Sequence, residues 1–247
     1  MHREYRHIVP GANKAILFVH GIVGTPNHFQ SFVELVPAHI SVYNMLLDGH
    51  GKGVRDFSRT SMEKWKTQVE KAVEELSANH KEVYAVAHSL GSLLAIEQAI
   101  QNNGITKLFL LAVPLRLFIK PRMVVNSLKV YFNVVKPTDA PAVAAKACYG
   151  IGGDKNPLHY IGWIPRFLEL FGQIRKTRKI INSLQVPCEV YQSLQDEMVS
   201  KQSIKMLRSN PKITVTELPN SGHYYYEKND FTALTTAFLA FISECDG

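Results

Sequence analysis

The stretch that most limits the folds open to this chain is residues 83–104, VYAVAHSLGSLLAIEQAIQNNG. Val83 to Ala87 is a β-branched and apolar run, the pattern of a short buried strand. Ala87-His88-Ser89-Leu90-Gly91 follows, and then Leu93, Leu94, Ile96, Ala99 and Ile100 recur at helical spacing. Asn102-Asn103-Gly104 closes the pattern, with Gly104 expected in the left-handed conformation past the helix end. A strand that turns sharply into a helix, with small residues two places before and after a serine, is the context a serine nucleophile needs. Its hydroxyl is held beyond the carboxyl end of the strand, at the positive end of the helix. The same pattern also suits a plain N-cap serine, whose oxygen accepts from the first helical turn.

The rest of the chain repeats the strand–helix rhythm. Residues 15–19, AILFV, are apolar throughout, as in a strand buried on both faces of a parallel sheet. They run into His20-Gly21-Ile22-Val23-Gly24, which lacks the spacing of a phosphate-binding loop. Strands are expected at 40–47, 106–113, 187–194 and 212–217. Helices are expected at 60–79, opened by a Thr60–Glu63 capping box, and at about 200–208 and 229–243. This alternation predicts an α/β class with a mostly parallel sheet and helices on both faces. Such sheets bind ligands beyond the carboxyl ends of their strands.

Between about Leu115 and Leu184 the rhythm stops. Aromatic residues such as Phe118, Tyr160, Trp163, Phe167 and Phe171 gather there with basic ones, and helices are expected near 122–135 and 165–183. Seventy residues with this much apolar material read as a small inserted helical cap, not a linker. The expected division is a core of 1–114 and 185–247 with a cap of 115–184.

Composition excludes several classes. With 46% hydrophobic residues in 247, the chain can bury a large core. The net charge of +7 invites a nucleic-acid reading, but no recognition motif accompanies it. The densest run, Arg175-Lys176-Thr177-Arg178-Lys179, reads as a solvated helix side. Cys148, Cys188 and Cys245 are odd in number and far apart, so neither a disulfide framework nor a zinc site is expected, and a reducing cytoplasm is the default. The N-terminus has no apolar signal core, and no stretch reaches the ~18 apolar residues of an integral membrane span.

Three apt residues fall at three strand exits: Ser89, Asp196 and His223. A serine hydroxyl needs a base, and imidazole, with an ordinary pKa near 6.5, suits that role. A carboxylate then fixes the imidazole tautomer and stabilises the imidazolium. Competing carboxylates sit elsewhere: Asp139 and Asp154 within the insertion, Glu217 inside a strand, and Asp230 at the last helix, which it is expected to cap. His50 fits a structural hydrogen bond. The backbone N–H groups of Ile22 and Leu90 are the natural pair to receive a developing oxyanion.

These pieces together resemble an α/β-hydrolase of the small bacterial carboxylesterase and monoacylglycerol lipase group, related to the serine aminopeptidase-like hydrolases. The resemblance rests on His20-Gly21, Asp48-Gly49-His50-Gly51 (more often L-P-G-H-G), the turn at Ser89, Gln195-Asp196-x-x-Val199 and Ser221-Gly222-His223. Ala87 and Asp48 depart from the common pattern, and neither removes a reactive group. The resemblance implies a hydrolase of short or medium acyl esters, including monoacylglycerols, working through an acyl-serine with no cofactor and no metal. The expected partner is a small-molecule ester, not nucleic acid, and the expected state is a monomer or homodimer. Trp163 and Phe167 are the expected acyl contacts. Thioester, amide and carbon–carbon hydrolysis remain open on the same residues, as does a ligand-binding receptor on the same fold.

Overall fold

The computed structural model describes residues 2–243; Cys245 lies outside them. Among the described residues seven strands form one sheet: β1 (Tyr5–His7), β2 (Lys14–Val19), β3 (Ser41–Met45), β4 (Glu82–His88), β5 (Lys107–Leu111), β6 (Cys188–Ser193) and β7 (Ile213–Leu218). Their order is β1-β3-β2-β4-β5-β6-β7. β1 pairs antiparallel with β3, and every other pairing is parallel. The six parallel strands are those expected from their apolar runs. β1 was not expected: its three residues are all exposed, so it carries no burial pattern.

The described residues form nine α-helices: α1 (Gln30–Val33), α2 (Val54–Ser58), α3 (Met62–Ser77), α4 (Leu90–Gln101), α5 (Pro121–Tyr131), α6 (Ala140–Cys148), α7 (Ile164–Ile180), α8 (Gln202–Leu207) and α9 (Lys228–Ser243). α3 and α4 bury one sheet face, where Trp65, Val69, Leu93 and Ile96 pack against Leu17, Ala85 and Leu110. α9 and the segment around α1 bury the other, through Phe29, Phe32, Phe238 and Phe241 against Phe18 and Phe109. Full burial of one such side chain contributes roughly 1.5–3 kcal/mol. The two layers fix β4 at the centre and bring every parallel strand's carboxyl end to one edge.

The segment between β5 and β6 carries α5, α6, a 3-10 turn at Pro157–Trp163, and α7. α5 and α7 match the two expected helices, with α5 stopping at Tyr131. α6 was missed in the sequence, although Asp139 caps it, its side chain accepting from the Ala142 N–H. Leu170 and Ile174 of α7 are buried in the same cluster as α3 and α4.

Three local expectations are corrected. α3 begins one residue late: Ser61, not Thr60, is its N-cap and accepts from Lys64 N–H. Gly104 is not left-handed; Asn102 leaves α4 in an extended conformation. Glycine is needed there because a Cβ would come within 2.6 Å of Val73 Cγ1. The 175–179 run is only partly solvated. Thr177 is buried, Lys176 pairs with Glu97 at 2.5 Å, and the Arg178 guanidinium donates to Leu115 O at 2.6 Å.

Candidate active site

Ser89 stands between β4 and α4 with φ 53° and ψ −118°, a strained conformation for a residue with a side chain. Its side chain makes no capping hydrogen bond to the helix. That removes the plain N-cap reading. The turn is possible because of what precedes and follows it. A Cβ on Gly91 would lie 2.1 Å from Val19 O, so only glycine lets α4 approach β2 this closely. Ala87 is fully buried in β4 with its methyl accommodated.

The loop after β6 and the loop after β7 meet at a hydrogen bond. His223 Nδ1 and Asp196 Oδ2 are 2.8 Å apart, and both side chains are 2% exposed. Asp196 Oδ1 accepts from the N–H groups of Met198 and Val199, each at 2.7 Å. One carboxylate therefore folds its own loop and holds the imidazole. Because a carboxylate only accepts, Nδ1 carries a proton in this pair. Nε2 is buried and has no hydrogen-bond partner among the described residues. A buried polar atom left unpaired costs stability, and His50 Nε2 is another among the described residues.

His88, next to Ser89 in the chain, lies beside His223 with ring centroids 4.6 Å apart, and its Nε2–H donates to His223 O at 3.0 Å. Glu197 holds the peptide on the other side of the His223 Cα: its Oε2 accepts His223 N–H at 2.9 Å. His28 lies over His88 at 4.0 Å and touches Cys148 Sγ through Nδ1 at 3.4 Å. Burial holds His88 well below the ordinary histidine range, and burial with the neighbouring His223 pushes His28 down to about 3. Burial pushes the Cys148 thiol up to about 12, so it stays protonated. Glu197, His88 and His28 were not singled out as functional in the sequence. Nothing local marks them, since each acts across 26 to 135 residues of chain.

The loop after β2 lies against the serine turn. A Cβ on Gly21 would sit 3.0 Å from Ser89 Cβ. His20 ties this loop down: its Nε2 accepts from Leu47 N–H at 3.1 Å and its Nδ1–H donates to Gly21 O at 2.9 Å. Burial, with His50 nearby, holds His20 well below its ordinary pKa, so it keeps this neutral form. Gly24 N–H closes the turn onto Gly21 O, and Gly150 N–H donates to Val23 O. Leu90 is the first residue of α4, so its N–H has no partner within the helix. Ile22 is buried on the facing loop.

The competing residues are occupied elsewhere. His50 bonds the carbonyls of Leu47 and Asp48. Asp139 pairs with Lys129, Asp154 with His159, and Glu217 with Arg208. Asp230 does more than sit in the first turn of α9. Its Oδ2 accepts from Ser221 Oγ and Asn220 N–H, which braces the loop that carries His223.

A cavity of about 280 Å³ opens between the Ile22–Val23 loop and the segment between β5 and β6. Trp163 and Phe167 line it, as do Met123, Val130, Ile151 and Met198. Polar groups interrupt this wall: Ser127 Oγ and Tyr149 OH lie 3.0 Å apart, and Tyr131 and Tyr160 line it as well. Met123 also borders a small void beside His223 and Glu197, so the cavity and the histidine share a wall.

A family model for alpha/beta hydrolases matches residues 16–233, from β2 into α9. The chain belongs to the alpha/beta hydrolase family. Solved structures of other hydrolases share its fold. It is similar to a structure from work on the metagenome-derived lipolytic enzymes LipS and LipT, at 18% identity over 99% of this chain and 98% of that one, with a TM-score of 0.75. It is also similar to a soluble variant of monoglyceride lipase from Saccharomyces cerevisiae, at 15% identity, 98% and 91% coverage and a TM-score of 0.68. A thioesterase domain from the curacin biosynthetic pathway follows at 15%, 96% and 93%, with a TM-score of 0.61. At such identities the likeness establishes the hydrolase fold. No curated protein matches this hydrolase in sequence.

Proposed function

We propose that this hydrolase cleaves carboxylic esters of short to medium acyl chains, monoacylglycerols among them, through an acyl-serine on Ser89. The observation that carries the reading is His223: its Nδ1 is held by Asp196, its Nε2 is buried and unpartnered among the described residues, and its ring packs on His88, the residue before the strained turn at Ser89. In this mechanism Nε2 takes the hydroxyl proton as Ser89 Oγ attacks the acyl carbon. The imidazolium formed is stabilised by the Asp196 carboxylate and then protonates the leaving alcohol. The N–H groups of Leu90 and Ile22 receive the charge on the acyl oxygen, and losing one such donor typically costs on the order of 10²–10³ in kcat. Water then repeats the sequence on the acyl-enzyme and frees the acid. No cofactor takes part.

Residues 115–184 serve as the cap over a core of 1–114 and 185–247, and Trp163 and Phe167 contact the acyl group. The apolar lining of the 280 Å³ cavity supports this. A fluorophosphonate probe should label one serine per chain, in the peptide containing Ser89. A panel of p-nitrophenyl esters, acyl thioesters and aminoacyl amides should show ester turnover dominant. Dominant thioester or amide turnover would keep the mechanism and change the substrate class. No labelling at Ser89 and no turnover of any of the three would overturn the reading.

A further inference from the structure

The inserted segment is unusual in its outer surface. On α5 the cavity is lined by Met123, Ser127 and Val130. A helix turns about 100° per residue, so Val124 and Leu128 form the adjacent stripe, and both are exposed. α7 repeats the arrangement. Phe167 lines the cavity, while Ile164, Leu168 and Phe171 form the next stripe and are exposed, Leu168 at 63%. Phe118, 64% exposed, is anchored beside the cavity residue Met198, because Phe118 N–H donates to Met198 O at 2.8 Å. Tyr131 OH donates to Asp154 O and its ring packs on Tyr160, which ties the end of α5 to the 3-10 turn that leads into α7. Exposed aliphatic and aromatic side chains therefore border the mouth on both sides. Exposed large apolar side chains gathered on one segment in this number mark an interaction surface.

Charge identifies what that surface meets. Residues 115–184 hold twelve Lys and Arg against three Asp and Glu, a net +9. The whole chain is +7, so the remaining 177 residues carry −2. All the net positive charge therefore lies on the segment that shows the apolar rim. Arg122, Lys136, Lys155, Arg175 and Lys179 are exposed within it. Apolar residues that enter a headgroup layer, surrounded by cations that attract anionic lipid, are the two components of interfacial binding. Symmetric pairing of two copies through this face would set +9 against +9, which disfavours a second copy as the occupant.

We infer that the outer face of α5 and α7, with Phe118, docks on an anionic lipid bilayer and turns the cavity mouth toward it. The docking is separate from the chemistry at Ser89. Co-sedimentation of the full chain with vesicles tests it, using phosphatidylcholine alone and phosphatidylcholine with 30% phosphatidylglycerol, at ~50 and ~500 mM NaCl. The expected result is partitioning at least ~10-fold stronger on the anionic vesicles, weakened by salt. The double variant Leu128→Asp, Leu168→Asp should lose ~10-fold or more while its circular dichroism and melting temperature stay those of the parent. Arg122→Glu with Lys155→Glu should reduce the preference for anionic vesicles. Ser89→Ala should bind as the parent does, whatever its activity. Equal partitioning on both vesicle types overturns the inference, as does anionic binding that neither double variant weakens. A parent dimer that Leu128→Asp, Leu168→Asp converts to monomer, seen by analytical ultracentrifugation, also overturns it, because the occupant is then a second copy.

Discussion

Glu197 Oε2 accepts the main-chain N–H of His223 at 2.9 Å, so the residue after Asp196 holds the backbone of the histidine whose ring Asp196 holds. The two adjacent carboxylates divide the work. Asp196 sets the ring's orientation, and Glu197 sets where the ring hangs from. Gly222 permits this, since a Cβ there would lie 2.9 Å from Glu197 Oε2.

Glu197 is accordingly a positioning residue. A hydrogen bond to a charged group contributes about 1.5–3 kcal/mol. Glu197→Gln keeps an acceptor oxygen and should lower kcat by about 10-fold or less. Glu197→Ala should lower it by roughly 10–100-fold with KM nearly unchanged. A purely structural role would lower the melting temperature and leave kcat of the folded fraction intact, so both quantities are measured on each variant.

Asp196→Asn should separate the two duties of that carboxylate. The amide oxygen can still accept from Met198 and Val199 N–H, so the loop should stay folded. The amide nitrogen would then face His223 Nδ1 and impose the wrong tautomer. Activity should drop by as much as ~10⁴ with the melting temperature within a few degrees of the parent. Near-parental kcat in Asp196→Asn would move the orienting acid elsewhere.

The two small residues flanking Ser89 should respond very differently. Gly91→Ala puts a methyl 2.1 Å from Val19 O and 2.7 Å from His20 O, both main-chain atoms that cannot yield cheaply. Its cost should reach or exceed the ~3 kcal/mol upper end of ordinary overpacking. Ala87→Gly creates no clash and should cost about 1 kcal/mol. Urea unfolding of the two variants checks the order.

Stability should fall in mild acid. Burial holds His20 and His88 well below the ordinary 6.5, His28 near about 3 and His50 near about 4. The unfolded chain therefore binds protons first as the pH drops. These groups cost nothing above pH 6.5. Below it, each neutral buried imidazole subtracts ~1.4 kcal/mol per pH unit until its own folded pKa is reached. Urea midpoints should be flat from pH 8 to 7 and decline steadily from 6.5 toward 4. His28→Gln should make that decline shallower. Midpoints unchanged down to pH 5 would contradict the neutral assignment.

Chain-length preference should follow the cavity wall. Each buried methylene is worth about 0.8 kcal/mol, so kcat/KM should rise up to a few-fold per added carbon until the space fills. Trp163→Ala and Phe167→Ala enlarge the wall and should shift the optimum to longer esters. A profile that neither substitution moves would take these two side chains out of acyl recognition.

The apolar runs, the turn at Ser89 and the exits carrying Asp196 and His223 were legible because each depends on a few consecutive residues. Strand burial shows as a continuous apolar run, and the serine turn as small residues at fixed offsets. α6 and β1 were not legible. α6 has few large apolar residues to mark its period, and β1 buries none of its three. The Thr60 cap and the left-handed Gly104 failed for a related reason. Several residues could serve locally in each place, and packing against Val73 or the pairing of Ser61 with Lys64 made the choice.

The sequence by itself determined the layered α/β architecture and nominated the residues at the strand exits, because periodicity and nearest-neighbour sterics are local. Only the tertiary structure decided what those residues touch. Asp196 and His223 are 27 positions apart, and His88 reaches His223 across 135. The unpartnered Nε2, Glu197 on the His223 peptide and the apolar rim around the cavity arise where separate loops and helices converge. That convergence depends on the sheet's parallel register and on the packing of the 115–184 segment, which no short stretch of the chain encodes.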